Sequence, residues 1–292
     1  MSRWMIAGAG GMLSTDLLRA MRERDLDVIA VGIDELDITN RDAVLHVAEQ
    51  ARPDVLINCA AYTKVDDCET DEAEATRING EAVTNLAEAA NRWNTLLVQL
   101  STDFVFDGSK SRPYEIADTP APLSAYGRSK LAGEVAAAAA RRHQIVRTAW
   151  LFGRNGWNFV EAIRKQVLSG KKELHVVDDQ RGRPTYTPHL AAALIRLGMR
   201  GLESASAHGI FHYADEEECS WFDFAVAIVE QMIERGEASR DVVVLPTTSD
   251  RFPRPAKRPA YSVLSTERYE RVTGVAPESW REGLSSYFGA AG

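Results

Sequence analysis

The sequence predicts an α/β protein built on a doubly wound parallel sheet, followed by a smaller lobe that is interleaved with it. Short apolar segments alternate with segments of helical periodicity over residues 1–150, and short connections join them. Such alternation favours right-handed crossovers between parallel strands. We therefore assign residues 1–150 to the sheet domain, to which later segments return, and residues 151–292 mainly to the second lobe.

The first element is an apolar strand over residues 3–7, and glycines follow it directly. Gly8 and Gly11 lie in a turn that ends where a helical pattern of apolar residues begins. A strand, a glycine turn and a helix in this order bring backbone N–H groups and a helix N-terminus against a pyrophosphate. Ser14 stands where a third glycine is common, so an ordinary strand-to-helix turn stays an alternative for this motif.

The second strand, over residues 26–31, bears on the kind of dinucleotide that such a turn would hold. An acidic residue at the end of this strand usually accepts hydrogen bonds from the ribose hydroxyls of NAD. Gly32 stands at that position here, and Asp34 is nearby but offset. The choice between NAD and NADP therefore stays open.

The later elements continue the alternation. Thr39 or Asn40 is a plausible cap for the next helix, and we expect Asn79 to be a structural polar group. We predict helices over residues 42–50, 66–91, 124–142, 158–168, 188–199 and 221–235, and strands over residues 53–61, 96–100 and 174–178.

The helix that begins at Ser124 carries the candidate chemistry. Tyr126 and Lys130 are one helical turn apart, so their side chains share a face. A free tyrosine titrates near about 10, and a neighbouring ammonium can stabilise its phenolate for general acid/base work on a carbonyl or alcohol. Thr102 follows a buried strand, at the edge of the sheet where α/β proteins hold their chemistry. A chance spacing on an amphipathic helix is the alternative for the Tyr126–Lys130 motif by itself.

Composition narrows the classes of partner. The net charge of -8 argues against a nucleic-acid partner. Cys59, Cys68 and Cys219 lack metal-ligand spacing, which favours reduced thiols, and His189 and His212 stand alone, so we expect no catalytic metal. The N-terminal residues show no charged leader and no run of membrane-spanning length, so we expect a cytoplasmic protein with no membrane partner.

A series of motifs runs in order through nearly the whole chain. They are Gly8-x-x-Gly11, Asp37-Ile38, Asn58-Cys-Ala-Ala61-Tyr-Thr63, Ser101-Thr-Asp-Phe-Val-Phe-Asp-Gly108, Tyr126-x-x-x-Lys130, Arg147-Thr-Ala-Trp150, Asp179-Gln-Arg-Gly-Arg-Pro-Thr185 and Arg258-Pro-Ala-Tyr-Ser262-Val-Leu264. Together they resemble the motifs of the extended short-chain dehydrogenase/reductases, which have a Rossmann-type sheet. More narrowly, they resemble the dTDP-4-dehydrorhamnose reductase family. Joint occurrence in order is far more specific than any single motif.

The resemblance implies reduction of the C4 ketone of dTDP-4-dehydro-L-rhamnose to dTDP-L-rhamnose, with NADPH or NADH as cofactor. It implies that Tyr126 is the proton donor, that Lys130 holds the nicotinamide ribose and lowers the Tyr126 pKa, and that Thr102 completes the catalytic set. It places the sugar against Thr102, Asp103 and Trp150, although Trp150 could equally fill the core at a strand end. The implied cofactor-binding residues are Gly8, Gly11, Met12 and Leu13 at the pyrophosphate, Asp37 and Ile38 at the adenine, and Ala61, Tyr62 and Thr63 at the ribose–nicotinamide side, with Tyr126 and Lys130.

A proline-rich loop adds a candidate diphosphate site. It carries Arg251, Arg254, Lys257 and Arg258, and guanidinium groups in a preset loop suit a diphosphate. The family motif favours Arg258 as a substrate-binding residue. A solvated basic loop is the alternative for the other three.

Three alternatives stay open within this resemblance. A reductase of another dTDP-4-keto-6-deoxysugar from a natural-product pathway would carry the same motifs. A non-catalytic, cofactor-binding regulatory subunit would usually lose part of the Thr102, Tyr126 and Lys130 set, which is complete here. An epimerase or a dehydratase is the third alternative: a dehydratase generally needs an acidic residue beside the Thr102 position, and Asp103 is adjacent, but the family motifs favour a reductase. A homodimer is expected only because dimers are the commonest oligomers.

Overall fold

The computed structural model describes residues 2–289, which form a six-stranded parallel sheet with helices on both faces and a smaller second unit. The strands are β1 (Arg3–Ala7), β2 (Asp27–Val31), β3 (Val55–Asn58), β4 (Leu96–Thr102), β5 (His143–Thr148), β6 (Leu151–Phe152), β7 (Glu173–Val177), β8 (Arg181–Gly182), β9 (Thr185–Tyr186), β10 (Gly209–His212), β11 (Cys219–Ser220) and β12 (Val243–Thr247). The α-helices are α1 (Met12–Arg22), α2 (Arg41–Ala51), α3 (Glu72–Thr76), α4 (Ala82–Trp93), α5 (Ala125–Ala137), α6 (Phe159–Leu168), α7 (Thr187–Glu203), α8 (Trp221–Glu234), α9 (Glu267–Thr273) and α10 (Trp280–Gly289).

The main sheet has the strand order β10-β5-β4-β3-β1-β2, and every pairing in it is parallel. The chain begins at β1, moves outward to β2 and then crosses back to β3 on the other side of β1. This reversal is the switch point of a doubly wound sheet, and ligands bind there, outside the carboxyl ends of the strands. The predicted fold class is confirmed.

Both faces of the sheet are buried. Along β1, Trp4 and Ile6 pack in a cluster with α1, α7 and α9, whereas Met5 and Ala7 pack in a second cluster with α2 and α4. Because side chains alternate across a strand and both sides are covered, the central strands have continuous apolar sequences. The chain therefore returns to the sheet domain after residue 150, since α7, β10 and α9 all belong to it.

The second unit has a hydrophobic cluster of its own. Phe152, Phe224 and Trp280 lie in this cluster, to which α6, β7, α8 and α10 contribute. Strand β12 pairs in parallel with β7, and two-residue pairings join β8 with β11 and β6 with β9. These segments alternate along the chain with those that return to the main sheet. The domain division at residue 150 stays a prediction.

The single acidic helix predicted over residues 66–91 is wrong. A helical turn at Asp67–Glu69 is followed by α3, by a π-helical turn at Arg77–Glu81 and by α4. The π-helical turn carries Asn79, whose side-chain amide accepts from the Tyr62 N–H at 2.8 Å and donates to the Tyr62 carbonyl at 3.0 Å. Single π-helical turns inside α-helices are rare and occur frequently at functional sites. The structural role expected for Asn79 is confirmed.

Other predicted elements have the right type but different ends. Strand β3 ends at Asn58, whose side-chain oxygen accepts from the Ala60 N–H and starts a turn. Helix α5 ends at Ala137, before the predicted end at residue 142, and α7 continues to Glu203. Asn40 is the residue that caps α2, through a hydrogen bond from the Ala43 N–H.

Candidate active site

The glycine turn after β1 has the geometry of an anion site. Gly8 and Gly10 have φ angles of +85° and +89°, which favour glycine, and a Cβ at Gly8 would collide with the Ala60 backbone. Gly11 is the N-cap of α1, with no side-chain cap hydrogen bond and no acidic residue in the first turn. The first N–H groups of α1 are thus available to a negatively charged ligand, and the helix dipole favours such a ligand. The turn fits a dinucleotide pyrophosphate.

The residues predicted to face the cofactor differ in the exposure of their side chains. Gly11 is exposed, and Met12 is half-buried against the loop at Gly156, but the Leu13 side chain is buried in the core. Asp37 is exposed, whereas Ile38 is 3% exposed and packs in the core. Leu13 and Ile38 can therefore reach a cofactor only through their backbone.

The loop after β3, which carries Ala61, Tyr62 and Thr63, is tied to helix α5. Asn79 holds both backbone groups of Tyr62 and also donates to the Ser129 hydroxyl at 2.9 Å. Gly133 of α5 packs so closely on the Asn79 carbonyl that a Cβ there would collide with it. The loop expected at the ribose–nicotinamide side and the helix of Tyr126 are therefore held in one fixed arrangement.

Helix α5 begins as its sequence predicts. The Ser124 side chain accepts from the Gly127 N–H, and the Glu69 carboxylate accepts from the Ala125 N–H at 2.8 Å. These caps satisfy the first donors of the helix and fix its start. Tyr126 follows in the first turn, half-buried, with its ring edge-on to Phe104 at a centroid distance of 5.6 Å.

Lys130 is buried beneath this turn. Its ammonium donates to the Leu100 carbonyl of β4 at 2.7 Å. Burial lowers the pKa of Lys130 to about 8, although the Glu134 carboxylate on the same helix opposes this shift. Lys130 is therefore a fixed cation whose charge is easily lost above neutral pH.

The Tyr126 phenol does not have a lowered pKa in the protein alone. Burial raises its pKa, the Asp103 carboxylate raises it further, and only the neighbouring Thr102 hydroxyl acts against them. The expectation that Lys130 lowers the Tyr126 pKa when the cofactor is bound stays a prediction, and the Leu100 carbonyl fixes the position of the Lys130 ammonium. Tyr126 is held as a protonated donor, and Thr102 is the residue placed to orient it.

Asp103 lies behind Thr102 and not on the cavity surface. It is 1% exposed, and its Oδ1 accepts from the Thr102 hydroxyl at 3.0 Å. Burial raises the Asp103 pKa to about 6, and the neighbouring hydroxyls of Ser262 and Thr102 act against this shift. The contact with a sugar that was expected of Asp103 stays a prediction. In the protein alone its carboxylate accepts from Thr102 and raises the pKa of Tyr126.

A buried ion pair supports the strands and helix of the site. Arg147 of β5 makes a two-pronged contact with Glu134 of α5, at 2.8 and 2.7 Å, and the Ser101 hydroxyl donates to the same carboxylate at 2.5 Å. His212 lies next to Arg147, and burial lowers its pKa to about 3. His212 is therefore a neutral structural residue, as expected. The tertiary position of Glu134 was not recognisable from sequence spacing.

A cavity of about 600 Å³ opens beside Phe104 and extends into the second unit. Its wall includes Trp150 and Trp221, which stack with ring centroids 3.6 Å apart and planes 8° apart. Trp150 has an unusual φ of +47°, and Gly182 leaves room for its ring. Trp150 thus lines the cavity and also belongs to the packing of the second unit. Further lining residues are Phe159, Phe252, Arg254, Arg258, Pro259 and Ser262.

Two of the four cationic residues of the basic loop line this cavity. Arg254 and Arg258 line it, but the Arg258 guanidinium also forms a two-pronged ion pair with Asp66 at 2.6 and 3.0 Å. Asp66 follows the cofactor loop at Ala61–Thr63 closely in the chain. The ion pair therefore anchors the basic loop to the sheet domain, a role that the sequence analysis did not assign to Asp66.

The described part of the chain contains neither a candidate metal site nor a helix that could span a membrane. Within residues 2–289, no group of three or more His, Cys, Asp or Glu side chains has the geometry of a metal site. None of the helices in that range combines the length and apolarity needed to cross a bilayer. His189 bonds to the buried carboxylate of Asp215 at 2.9 Å, so it has a structural partner.

The fold and the site together define a class of protein. A glycine turn for a pyrophosphate, a doubly wound sheet, and Thr102, Tyr126 and Lys130 at its carboxyl edge are typical of a nicotinamide-dependent short-chain dehydrogenase/reductase.

Comparison with known proteins gives the family. The chain belongs to the family described as RmlD substrate binding domain, whose model matches residues 2–291. A probable dTDP-4,6-dihydroxy-2-methyloxan-3-one 4-ketoreductase of Streptomyces antibioticus is 43% identical over 98% of this chain and 94% of its own length. The dTDP-4-dehydrorhamnose reductase of Aggregatibacter actinomycetemcomitans is 37% identical over 98% of both chains. The crystal structure of dTDP-4-dehydrorhamnose reductase from Bacillus anthracis in complex with NADP matches with a TM-score of 0.90, at 35% identity over 98% of both chains. These comparisons confirm the predicted family.

Proposed function

We propose that this protein is an NAD(P)H-dependent sugar-nucleotide reductase that converts dTDP-4-dehydro-L-rhamnose to dTDP-L-rhamnose at C4. The observation that carries the proposal is that Tyr126 and Lys130 lie on one helix at the carboxyl end of β4, with the Tyr126 ring against Phe104, a residue that lines an aromatic, partly basic cavity. Full-length similarity to proteins named dTDP-4-dehydrorhamnose reductase supports the same reaction.

The cavity offers complementary surfaces to each part of such a substrate. The indole faces of Trp150 and Trp221 suit the apolar face of a deoxysugar, and the guanidinium groups of Arg254 and Arg258 suit the diphosphate. Phe104 links this cavity to Tyr126, because its ring lines the one and contacts the other. The ketone would therefore lie at the Phe104 end.

Tyr126, Thr102 and Lys130 have different roles in the proposed reduction. The reduced nicotinamide, when bound, supplies a hydride to the ketone carbon. Tyr126 donates the proton to the ketone oxygen, and the neighbouring Thr102 hydroxyl, which acts against the rise of the Tyr126 pKa, would position the phenol. Lys130, fixed by the Leu100 carbonyl, would hold the nicotinamide ribose and stabilise the phenolate left after proton transfer. The raised pKa of Tyr126 in the protein alone keeps the donor protonated before the reaction.

Replacement of Tyr126 by Phe tests the mechanism. We expect kcat to fall by about 10²–10⁴-fold, the usual contribution of a general acid, because Tyr126→Phe removes the proton donor and keeps the ring against Phe104. The assay is the loss of near-ultraviolet absorbance of NADH or NADPH with enzymatically generated dTDP-4-dehydro-L-rhamnose. An unchanged thermal midpoint would show that the variant is folded. Near-normal turnover by that folded variant would refute the assignment of Tyr126.

A second substrate is favoured by one observation. The relative with 43% identity is named as a 4-ketoreductase of a different dTDP-sugar. Another dTDP-4-keto-6-deoxysugar is therefore the alternative substrate, with the same residues in the same roles. Product analysis with a panel of dTDP-ketosugars separates the two, since kcat/KM will be highest for the true substrate.

A cytoplasmic location and a homodimer stay predictions, and light scattering after size-exclusion chromatography would measure the oligomeric state.

A further inference from the structure

The end of strand β2 holds an acidic side chain that the sequence spacing does not indicate. Gly32, where an acidic residue is usual, donates its N–H to the Glu35 carboxylate at 2.6 Å. The Glu35 and Leu36 N–H groups donate back to the Gly32 carbonyl at 3.2 and 2.8 Å. This tight turn folds Glu35 back onto the strand end.

The Glu35 carboxylate lies next to the position that a side chain at residue 32 would take. A Cβ built on Gly32 would lie 3.5 Å from Glu35 Oε2 and equally 3.5 Å from the Ala9 carbonyl of the glycine turn. The glycine turn is itself bonded to β2, since the Gly8 and Ala9 N–H groups both donate to the Val31 carbonyl. Glu35 therefore presents a carboxylate to the region between β2 and the glycine turn.

We propose that Glu35 is the carboxylate that accepts the adenosine ribose hydroxyls, and that it makes the protein prefer NADH to NADPH. The inference rests on the proposed function, because it assumes that the glycine turn holds the cofactor. A carboxylate accepts hydrogen bonds from a free 2′-hydroxyl but repels a 2′-phosphate, which carries close to two negative charges.

The surrounding charges reinforce this preference. Asp37 lies in the same segment and is exposed. The nearby cations Arg41 and Arg77 form two-pronged ion pairs with Glu88 and Glu74. The site therefore offers negative charge where NADPH would need a cation.

Direct binding measurements test the proposal without turnover. Dissociation constants of NADH and NADPH are measured by calorimetric titration of the native protein, of Glu35→Gln and of Asp34→Asn. Native protein should bind NADH at least about tenfold more tightly than NADPH. In Glu35→Gln the amide oxygen can still accept from the Gly32 N–H, but the charge is gone, so the preference should shrink about tenfold. Asp34→Asn, which removes a charge that the turn does not hold, should leave the ratio within about twofold.

The binding measurements distinguish a failure of the role of Glu35 from a failure of the proposed function. Equal affinities in the native protein, a preference for NADPH, or an equal effect of Asp34→Asn would overturn the role of Glu35 and leave the proposed reaction intact. Binding of neither nucleotide would overturn the proposed function itself, and this inference with it. Melting curves of both variants verify that the turn still folds.

Discussion

Asp103 imposes a stability cost that can be removed by one substitution. Its carboxyl group is 1% exposed, and one of its oxygens, Oδ2, has no hydrogen-bond partner within the described residues. Burial raises its pKa from an ordinary 3.8 to about 6. Since one pKa unit corresponds to about 1.4 kcal/mol, ionised Asp103 lowers the free energy of unfolding by about 3 kcal/mol near neutral pH. Asp103→Asn should recover about 1–3 kcal/mol there, because an amide also leaves one polar group without a partner.

The direction of the pKa shift determines how the free energy of unfolding changes with pH. A folded-state pKa above the unfolded value means that the protonated form is favoured in the folded protein, so stability is lost as pH rises from about 4 to about 6. The stability difference between Asp103→Asn and the native protein should be close to zero near pH 4, grow up to about pH 6 and then stay constant. Urea denaturation at several pH values measures it.

Asp107 supplies a control of opposite sign on the neighbouring turn. Its carboxylate accepts from the Ser109 N–H and the Tyr114 hydroxyl, which hold its pKa below the usual value. Asp107→Asn should therefore lose about 1 kcal/mol at neutral pH, and the loss should fade as the pH drops below about 4. If Asp103→Asn is less stable than the native protein at pH 8, or if its gain persists at pH 4, the account of Asp103 is wrong.

Two further predictions concern the cations of the site. Because burial lowers the Lys130 pKa to about 8, kcat/KM should fall about tenfold per pH unit above that value, and a flat profile up to about pH 10 would contradict the role of its charge. Arg254→Gln should weaken dTDP binding about tenfold or more, measured by calorimetry, since Arg254 lines the cavity. Arg251→Gln, an exposed position on the same loop, is the matched control and should change affinity less than about twofold.

The elements whose cause is local were predictable. Buried parallel strands such as β3 and β4 appear as apolar runs, and α5 begins where Ser124 can cap it. The relation of Tyr126 to Lys130 follows from helical spacing alone. The pattern therefore predicts the sheet and the catalytic helix, although the ends of several elements shift where a turn or a cap intervenes.

The features that were missed depend on distant contacts. The π-helical turn exists because Asn79 reaches Tyr62 and Ser129, and periodicity carries no trace of such partners. The stacking of Trp150 on Trp221 joins residues far apart in the chain, and the depth of Asp103 depends on elements packed over it. A motif places a residue type at an edge, but its burial and charge state come from tertiary packing.

In the proposed function, proton donation and sugar recognition depend on different parts of the molecule. Helix α5 packs on α3, α4 and β4 of the main sheet, whereas Trp221 and Phe159 of the cavity wall come from α8 and α6 in the second unit. Related reductases can therefore keep the catalytic helix unchanged and differ only in the residues that line the cavity. Such a separation is consistent with the similarity of this chain to reductases named for different sugars, at 43% and 37% identity.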